Sequence, residues 1–153
     1  MRKETKQQLF AVFVLLMFMG SSVAYALSVV LGRQPAPEQD SLIYDKPLTD
    51  SETSKFLDNN IVVADFYYSQ NCADCAAADS TITSLAQDLA GYLAVDRIDA
   101  EKYASIAEAN EITQFPSFVL KGITIDTVSG AISKQDLKSR ICRLYMEPIS
   151  ACG

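Results

Sequence analysis

Residues 61–68, IVVADFYY, restrict the fold of this chain more than any other stretch. Apart from Ala64 and Asp65, every residue there is β-branched or aromatic, the composition of a strand. A run this apolar has no solvent face, so it reads as a central strand covered on both sides. The neighbouring segments supply the cover. "SLIYD" reads as a short strand. "LTDSETSKFLDNN" reads as a helix, with start signals at Thr49 and Ser51 and a stop at Asn59-Asn60. "CADCAAADSTITSLAQDLAGYL" has apolar Ile82, Leu85, Leu89 and Tyr92 spaced three to four apart, the pattern of an amphipathic helix.

"AVDRID" is a further strand and "YASIAEANEI" a short helix. "SFVL" and "ITIDTVS" read as two strands joined at Lys121-Gly122 in a hairpin. "SKQDLKSRICRLYM" closes the chain as a helix, with Ser133 as N-cap and Pro148 just beyond its end. The order is β-α-β-α-β-α-β-β-α. Strands alternating with helices and then a hairpin predict an α/β fold, a mixed β-sheet with helices on both faces.

Ahead of this domain, residues 9–31 carry no charge over 23 positions of the 153-residue chain. A helix of that length spans roughly 34 Å, enough for a hydrocarbon core of about 30 Å. The expected organisation is a cytoplasmic N-terminus (1–8), a transmembrane signal-anchor helix (9–31), a polar, Pro-containing linker (32–40) and a folded domain (41–153). Arg2, Lys3 and Lys6 precede the apolar run, so the positive-inside rule places the N-terminus in the cytoplasm and the domain outside it. Ala24-Tyr25-Ala26 offers the alternative, a cleavage site after Ala26 that would release the domain as a secreted protein. The apolar run continues past Ala26, which favours the uncleaved anchor.

Residues 34–153 hold 9 basic and 18 acidic side chains, a net of −9. That balance excludes nucleic acid as a natural partner, and it disfavours an anionic membrane surface beyond the anchor itself. The cysteines are Cys72, Cys75, Cys142 and Cys152, and there is no histidine. An even cysteine count in an exported domain suits disulfides. Lack of histidine removes the usual general base and the commonest metal ligand.

Cys72-Ala73-Asp74-Cys75 falls where the buried strand gives way to a helix. Asn71 is a good N-cap residue, which would make Cys72 the first helical residue. Unpaired N–H groups and the helix dipole would then favour a thiolate, the nucleophile of disulfide exchange. Cys75 lies one turn on, within reach to resolve a mixed disulfide formed at Cys72. Asp74 has two readings. It is a helix-start residue facing the Asn71 cap, or a carboxylate that tunes the pair by disfavouring the thiolate. A static disulfide and a four-cysteine zinc site are the other readings of the cysteines. The wide spacing of Cys142 and Cys152 disfavours zinc, so no metal is expected. Cys142 and Cys152 are candidates for a structural disulfide stapling the C-terminus, or for a second redox pair. Phe66, Tyr67 and Tyr68 read first as core of the central strand. Asp65, among apolar neighbours, reads as a buried carboxylate able to move protons for Cys75.

The segments "VVADFYYSQNCADC", "LAVDRIDAEKYASIAEANEITQFPSFVLKG" and "VSGAISKQDLKSRI" resemble a thioredoxin domain in order and spacing, over about residues 41–146. The resemblance implies a thioredoxin-like sheet, a cis bond before Pro116, and a substrate groove formed by the Phe115 backbone, Pro116 and Gly130. It implies that Cys72 attacks and Cys75 resolves. It also suggests an acid–base pair of Asp65 with Arg97 near the cysteines, tuning the site together with Asn71 and Asp74. Some positions depart from the family pattern. Asn71 stands where thioredoxins carry tryptophan, Ala73-Asp74 replaces the usual dipeptide, and Phe66 occupies the position of the family's buried acid, with Asp65 one residue earlier.

The sequence therefore leads to a membrane-tethered thiol–disulfide oxidoreductase outside the cytoplasm, with no cofactor beyond its cysteine pair. Its expected partners are cysteine-containing exported proteins and a redox partner that resets the pair. The alternative is a non-catalytic interaction module on the same fold, with a structural disulfide.

Overall fold

The computed structural model describes residues 42–153. The expected cytoplasmic N-terminus, anchor helix and linker lie outside them. Among the described residues no helix is long and apolar enough to cross a membrane.

The elements follow the expected order: β1 (Leu42–Tyr44), α1 (Asp50–Asp58), β2 (Val62–Tyr68), α2 (Cys75–Asp88), β3 (Leu93–Asp99), α3 (Ala104–Ala109), β4 (Ser117–Lys121), β5 (Ile125–Ser129) and α4 (Lys134–Cys142). A 3-10 turn over Ser150–Cys152 follows. Helix α1 starts at Thr49, where the hydroxyl accepts the Glu52 N–H and the Glu52 carboxylate accepts the Thr49 N–H. That reciprocal box satisfies two of the free donors of the first turn. Helix α4 is capped by Ser133, as expected, but ends at Cys142 rather than running on to Met146.

The five strands form one sheet in the order β1-β3-β2-β4-β5. β1, β3 and β2 run parallel, while β4 is antiparallel to β2 and β5 to β4. β2 is thus the middle strand, and its residues Val62–Tyr67 are all buried. Strand alternation divides these side chains between two cores. Val62, Ala64 and Phe66 join Leu93, Val95, Phe118 and Leu120 beneath α2 and α4, which contribute Ile82, Leu85, Leu137 and Ile141, with Leu89 at the C-cap of α2. Tyr67 lies on the opposite face with Ile98, Val119 and Ala107 of α3. Helices therefore cover both faces, as the unbroken apolar run of β2 requires.

The C-terminal segment closes the first core. Leu144, Tyr145 and Ile149 are buried in it. Cys142 and Cys152 are joined by a disulfide across a separation of 10 residues, with Cα atoms 5.7 Å apart. Asn60 holds the same segment from the other side. Its Oδ1 accepts the Met146 N–H at 2.9 Å and its Nδ2 donates to the Glu147 carbonyl at 3.1 Å.

Gly122 fixes how close this segment approaches the β4–β5 turn. A Cβ there would collide with the Leu144 carbonyl oxygen and lie 2.6 Å from the Leu144 Cβ. Both obstacles belong to a segment already bonded to the turn, since the Ile123 N–H donates to the Leu144 carbonyl at 2.9 Å. Gly122→Ala is expected to lower unfolding free energy by about 1–3 kcal/mol, the usual cost of forcing atoms into a filled site. Chemical denaturation of the variant against the wild type checks this; an unchanged midpoint would show that the segment yields.

Candidate active site

The middle strand delivers the chain into a turn over residues 69–74. The Cys72 N–H donates to the Ser69 carbonyl at 3.3 Å and the Cys75 N–H to the Cys72 carbonyl at 3.4 Å. The first bond of α2 runs from the Ala78 N–H to the Asp74 carbonyl at 3.0 Å. The helix therefore begins at Cys75. This corrects the expectation that Asn71 caps the helix and Cys72 is its first residue. Asp74 occupies the N-cap position, and its side chain makes no capping bond. The turn takes up the residues that the sequence pattern assigns to the first helical turn.

Cys72 and Cys75 form a disulfide with Cα atoms 5.4 Å apart. Its two ends differ in access. Cys75 is buried at 7% exposure, while Cys72 is half-buried. Cys72 and Phe115 both pack against the core that contains Cys75. The Phe115-Pro116 peptide bond is cis, and Pro116 is buried at the entry to β4. The Gly130 N–H donates to the Pro116 carbonyl at 2.7 Å. Gly130 has φ +87°, a conformation that costs glycine little, and open space surrounds the place a Cβ would take. The structure thus brings together Cys72, Cys75 and Phe115 on one core, and ties Gly130 to Pro116.

Asp65 is not part of this group. Its neighbours Ala64 and Phe66 point into the core of Cys75, so Asp65 points to the other face of the sheet, that of Tyr67. It pairs with Lys121, whose Nζ lies 2.6 Å from Asp65 Oδ2. Asp65 does not pair with Arg97, as the resemblance suggests. Arg97 faces α2, where its Nε lies 2.7 Å from Asp79 Oδ1 and its Nη1 lies 3.4 Å from Asp45 Oδ1. The reason is register. Arg97 stands beside Phe66, whereas Asp65 stands beside Asp96. An odd-to-even step along a strand reverses the face.

Asp65 and Asp96 are therefore neighbouring carboxylates on the sheet face opposite the disulfide, both 2% exposed. Asp96 Oδ2 accepts the Leu48 N–H at 2.8 Å, but Oδ1 of each aspartate is buried without a hydrogen-bond partner. Burial pushes the Asp96 carboxyl up to about 7, against the Leu48 hydrogen bond and with help from the Asp65 charge. Burial also raises Asp65, with Lys121 opposing. Sequence reading missed Asp96, Lys121 and Asp79 as site neighbours. Asp79 carried a usable signal, since it stands four residues after Cys75 on the same helix face.

A family model described as Thioredoxin matches residues 46–143. The chain belongs to the thioredoxin family. It is 33% identical over 82 residues to Thioredoxin Y2, chloroplastic, of Arabidopsis thaliana, covering 52% of this chain and 48% of that protein. It is 32% identical over 62 residues to Thioredoxin-1 of Drosophila melanogaster, covering 40% of this chain and 57% of that protein. The chain thus spans about half the length of the curated relatives it matches. Among solved structures, a mutant thioredoxin from Halobacterium salinarum NRC-1 superposes with a TM-score of 0.57 at 24% identity, covering 70% of this chain and 92% of that one. The germline-specific thioredoxin Deadhead of Drosophila superposes at 0.55 and 20% identity, over 66% of this chain and 97% of that one. These likenesses agree with the fold of this thioredoxin-family domain, including its mixed sheet and flanking helices.

The two buried aspartates give the domain a pH dependence with a definite sign. Asp96 titrates near its ordinary 3.8 when unfolded and at about 7 when folded. Between these values the folded state holds the extra proton, so stability falls as pH rises through that window and then levels off. The expected loss between pH 4 and 8 is roughly 4 kcal/mol. Asp96→Asn, which keeps an oxygen for the Leu48 N–H, should flatten most of that slope. Urea unfolding at several pH values checks it; equal slopes in wild type and variant would refute the assignment.

Proposed function

We propose that the protein is a membrane-tethered thiol–disulfide oxidoreductase acting outside the cytoplasm. Membership of the thioredoxin family supports the redox chemistry. The uncharged run over residues 9–31 and the basic residues before it support the tether and its orientation. The observation that carries the reading is the asymmetry of the Cys72–Cys75 disulfide, with Cys75 buried and Cys72 half-buried.

That asymmetry supports the following assignment of roles. In the reduced pair, the Cys72 thiolate attacks a substrate disulfide, forming one S–S bond to the substrate and releasing its other sulfur as a thiolate. Cys75 then loses its proton and attacks Cys72, closing the Cys72–Cys75 bond and expelling the second substrate sulfur. Two electrons pass to the substrate, and its two sulfurs take up one proton released by Cys75 and one from solvent. Run backwards, the same steps oxidise a dithiol. By resemblance to the family, Phe115, Pro116 and Gly130 form the groove for a substrate strand, with Phe115 packed on the core that contains Cys75. The donors and acceptors of electrons are cysteine-containing exported proteins and a separate redox partner. No cofactor beyond the cysteine pair is required.

Equilibration of the full-length chain with thiol redox buffers tests this reading. A reversible potential between that of thioredoxin, about −270 mV, and that of strong oxidants, about −120 mV, is expected, and its value sets the direction of electron flow. Cys75→Ser should accumulate mixed disulfides through Cys72, whereas Cys72→Ser should abolish exchange. A pair that no reductant opens without denaturant would instead mark a non-catalytic thioredoxin-fold binding module.

A further inference from the structure

Beside the disulfide, on the side of α2 and β3, lies a cleft of about 350 Å³ lined by Asp45, Phe66, Tyr68, Cys75, Asp79 and Arg97. Its lining brings the charged groups Asp45, Asp79 and Arg97 into one cleft with the buried cysteine. Phe66, at the strand position beneath Cys75, cannot exchange a proton or stabilise a charge. Asp65 and Asp96 lie across the sheet. Within the cleft, Arg97 is clamped from three sides. Its Nη2 donates to Thr83 Oγ1 at 2.9 Å and to Asp79 Oδ2 at 3.3 Å, and its Nη1 donates to Asp45 Oδ1 at 3.4 Å. Its Nε approaches Asp79 Oδ1 at 2.7 Å without hydrogen-bond alignment. The Arg97 side chain is only 27% exposed, so solvent screens it incompletely. Asp79 lies one helical turn beyond Cys75, a spacing that brings side chains to about 5–6 Å at their Cβ atoms.

We propose that the Arg97–Asp79 pair sets the acidity of the resolving thiol, Cys75, Arg97 favouring its thiolate and Asp79 restraining it. The proposal rests on the oxidoreductase reading, in which Cys75 must lose its proton before it closes on Cys72. A buried thiol resists ionisation, and a neighbouring guanidinium counteracts that resistance. A carboxylate bonded to the same guanidinium offsets part of the help and fixes the position of the cation. The titratable or charged groups around the cysteine are Asp74 at the N-cap of α2, Asp79 on α2, Tyr68 on β2, Arg97 and Asp99 on β3, and Asp45 after β1. Among these Arg97 is the sole cation, so its removal leaves acids alone. Both members of the pair are positioning residues, since neither exchanges electrons.

Opposite signs make the test selective. The full-length chain carrying ¹³Cβ-labelled cysteine, with the Cys72–Cys75 pair reduced, is titrated by NMR. Asp79→Asn should lower the midpoint of Cys75 by about half to one pH unit, and Arg97→Gln should raise it by a similar amount. The double variant should return near the wild-type midpoint. Arg97→Lys, which keeps the charge, should rescue most of the shift and covers the case in which Arg97→Gln fails to fold. A purely structural role would shift both single variants the same way or neither, and either result would overturn the proposal. Mixed-disulfide exchange is measured on the same samples. Opposed shifts without any exchange in the wild type would overturn the oxidoreductase reading while leaving the electrostatic assignment standing.

Discussion

Strand β2 is hydrogen-bonded along both edges, to β3 and β4, and packed on both faces. Everything else in the domain is arranged around that double burial. Polar backbone in such a strand has no access to water, so both edges must be paired. Apolar side chains alternate up and down, so both faces need helices. The parallel side demands a crossover, which α2 provides, and the antiparallel side permits the tighter β4–β5 turn. The cysteine turn lies at the exit of this strand, where the least movable segment of the fold meets a solvent-facing one. That is why one sulfur can be buried and the other reachable within four residues.

The same alternation separates two electrostatic environments by the thickness of the sheet. On the α2 side, Phe66 stacks on Phe118 with ring centroids 5.2 Å apart and on Tyr68 at 5.8 Å. At the margin of that side, Arg97 pairs with Asp79 and Asp45. On the other side, Asp65, Asp96 and Lys121 are set into an otherwise apolar surface beside Tyr67. Their cost in stability is paid far from the sulfur chemistry. It fastens the β1–α1 connection through Leu48 instead.

Much of this was legible in the sequence. The strand at 62–68, the Thr49 and Ser133 caps, the hairpin after Lys121 and the order of elements follow from side-chain shape and hydrogen-bonding capacity over a few residues. The paired cysteines, the cis Phe115-Pro116 bond and the Cys142–Cys152 disulfide also lie where sequence or resemblance put them. What failed depended on single-residue phase. Asn71 is a suitable cap by chemistry, yet the chain spends residues 71–74 turning to bring the sulfurs together. Asp65 has the right character for a proton carrier, yet its position in the pleat turns it away from Cys75. Its partner Lys121 arrives from a strand more than fifty residues later, through a register that no local pattern encodes. Asp79 is the exception, since helical spacing alone places it near Cys75.

The C-terminal disulfide carries a consequence for how electrons can be supplied. It fastens the segment whose Leu144, Tyr145 and Ile149 roof the larger core. Both bridges in this domain contain the same chemical bond; in the proposed oxidoreductase one is a switch and the other a rivet. A reductant strong enough and small enough to open every bridge would reset the switch and loosen the roof together. On the proposed oxidoreductase reading, the domain suits a donor that distinguishes bridges by shape, docking at the half-buried Cys72 and passing electrons sulfur to sulfur. A bath of freely diffusing thiols makes no such distinction.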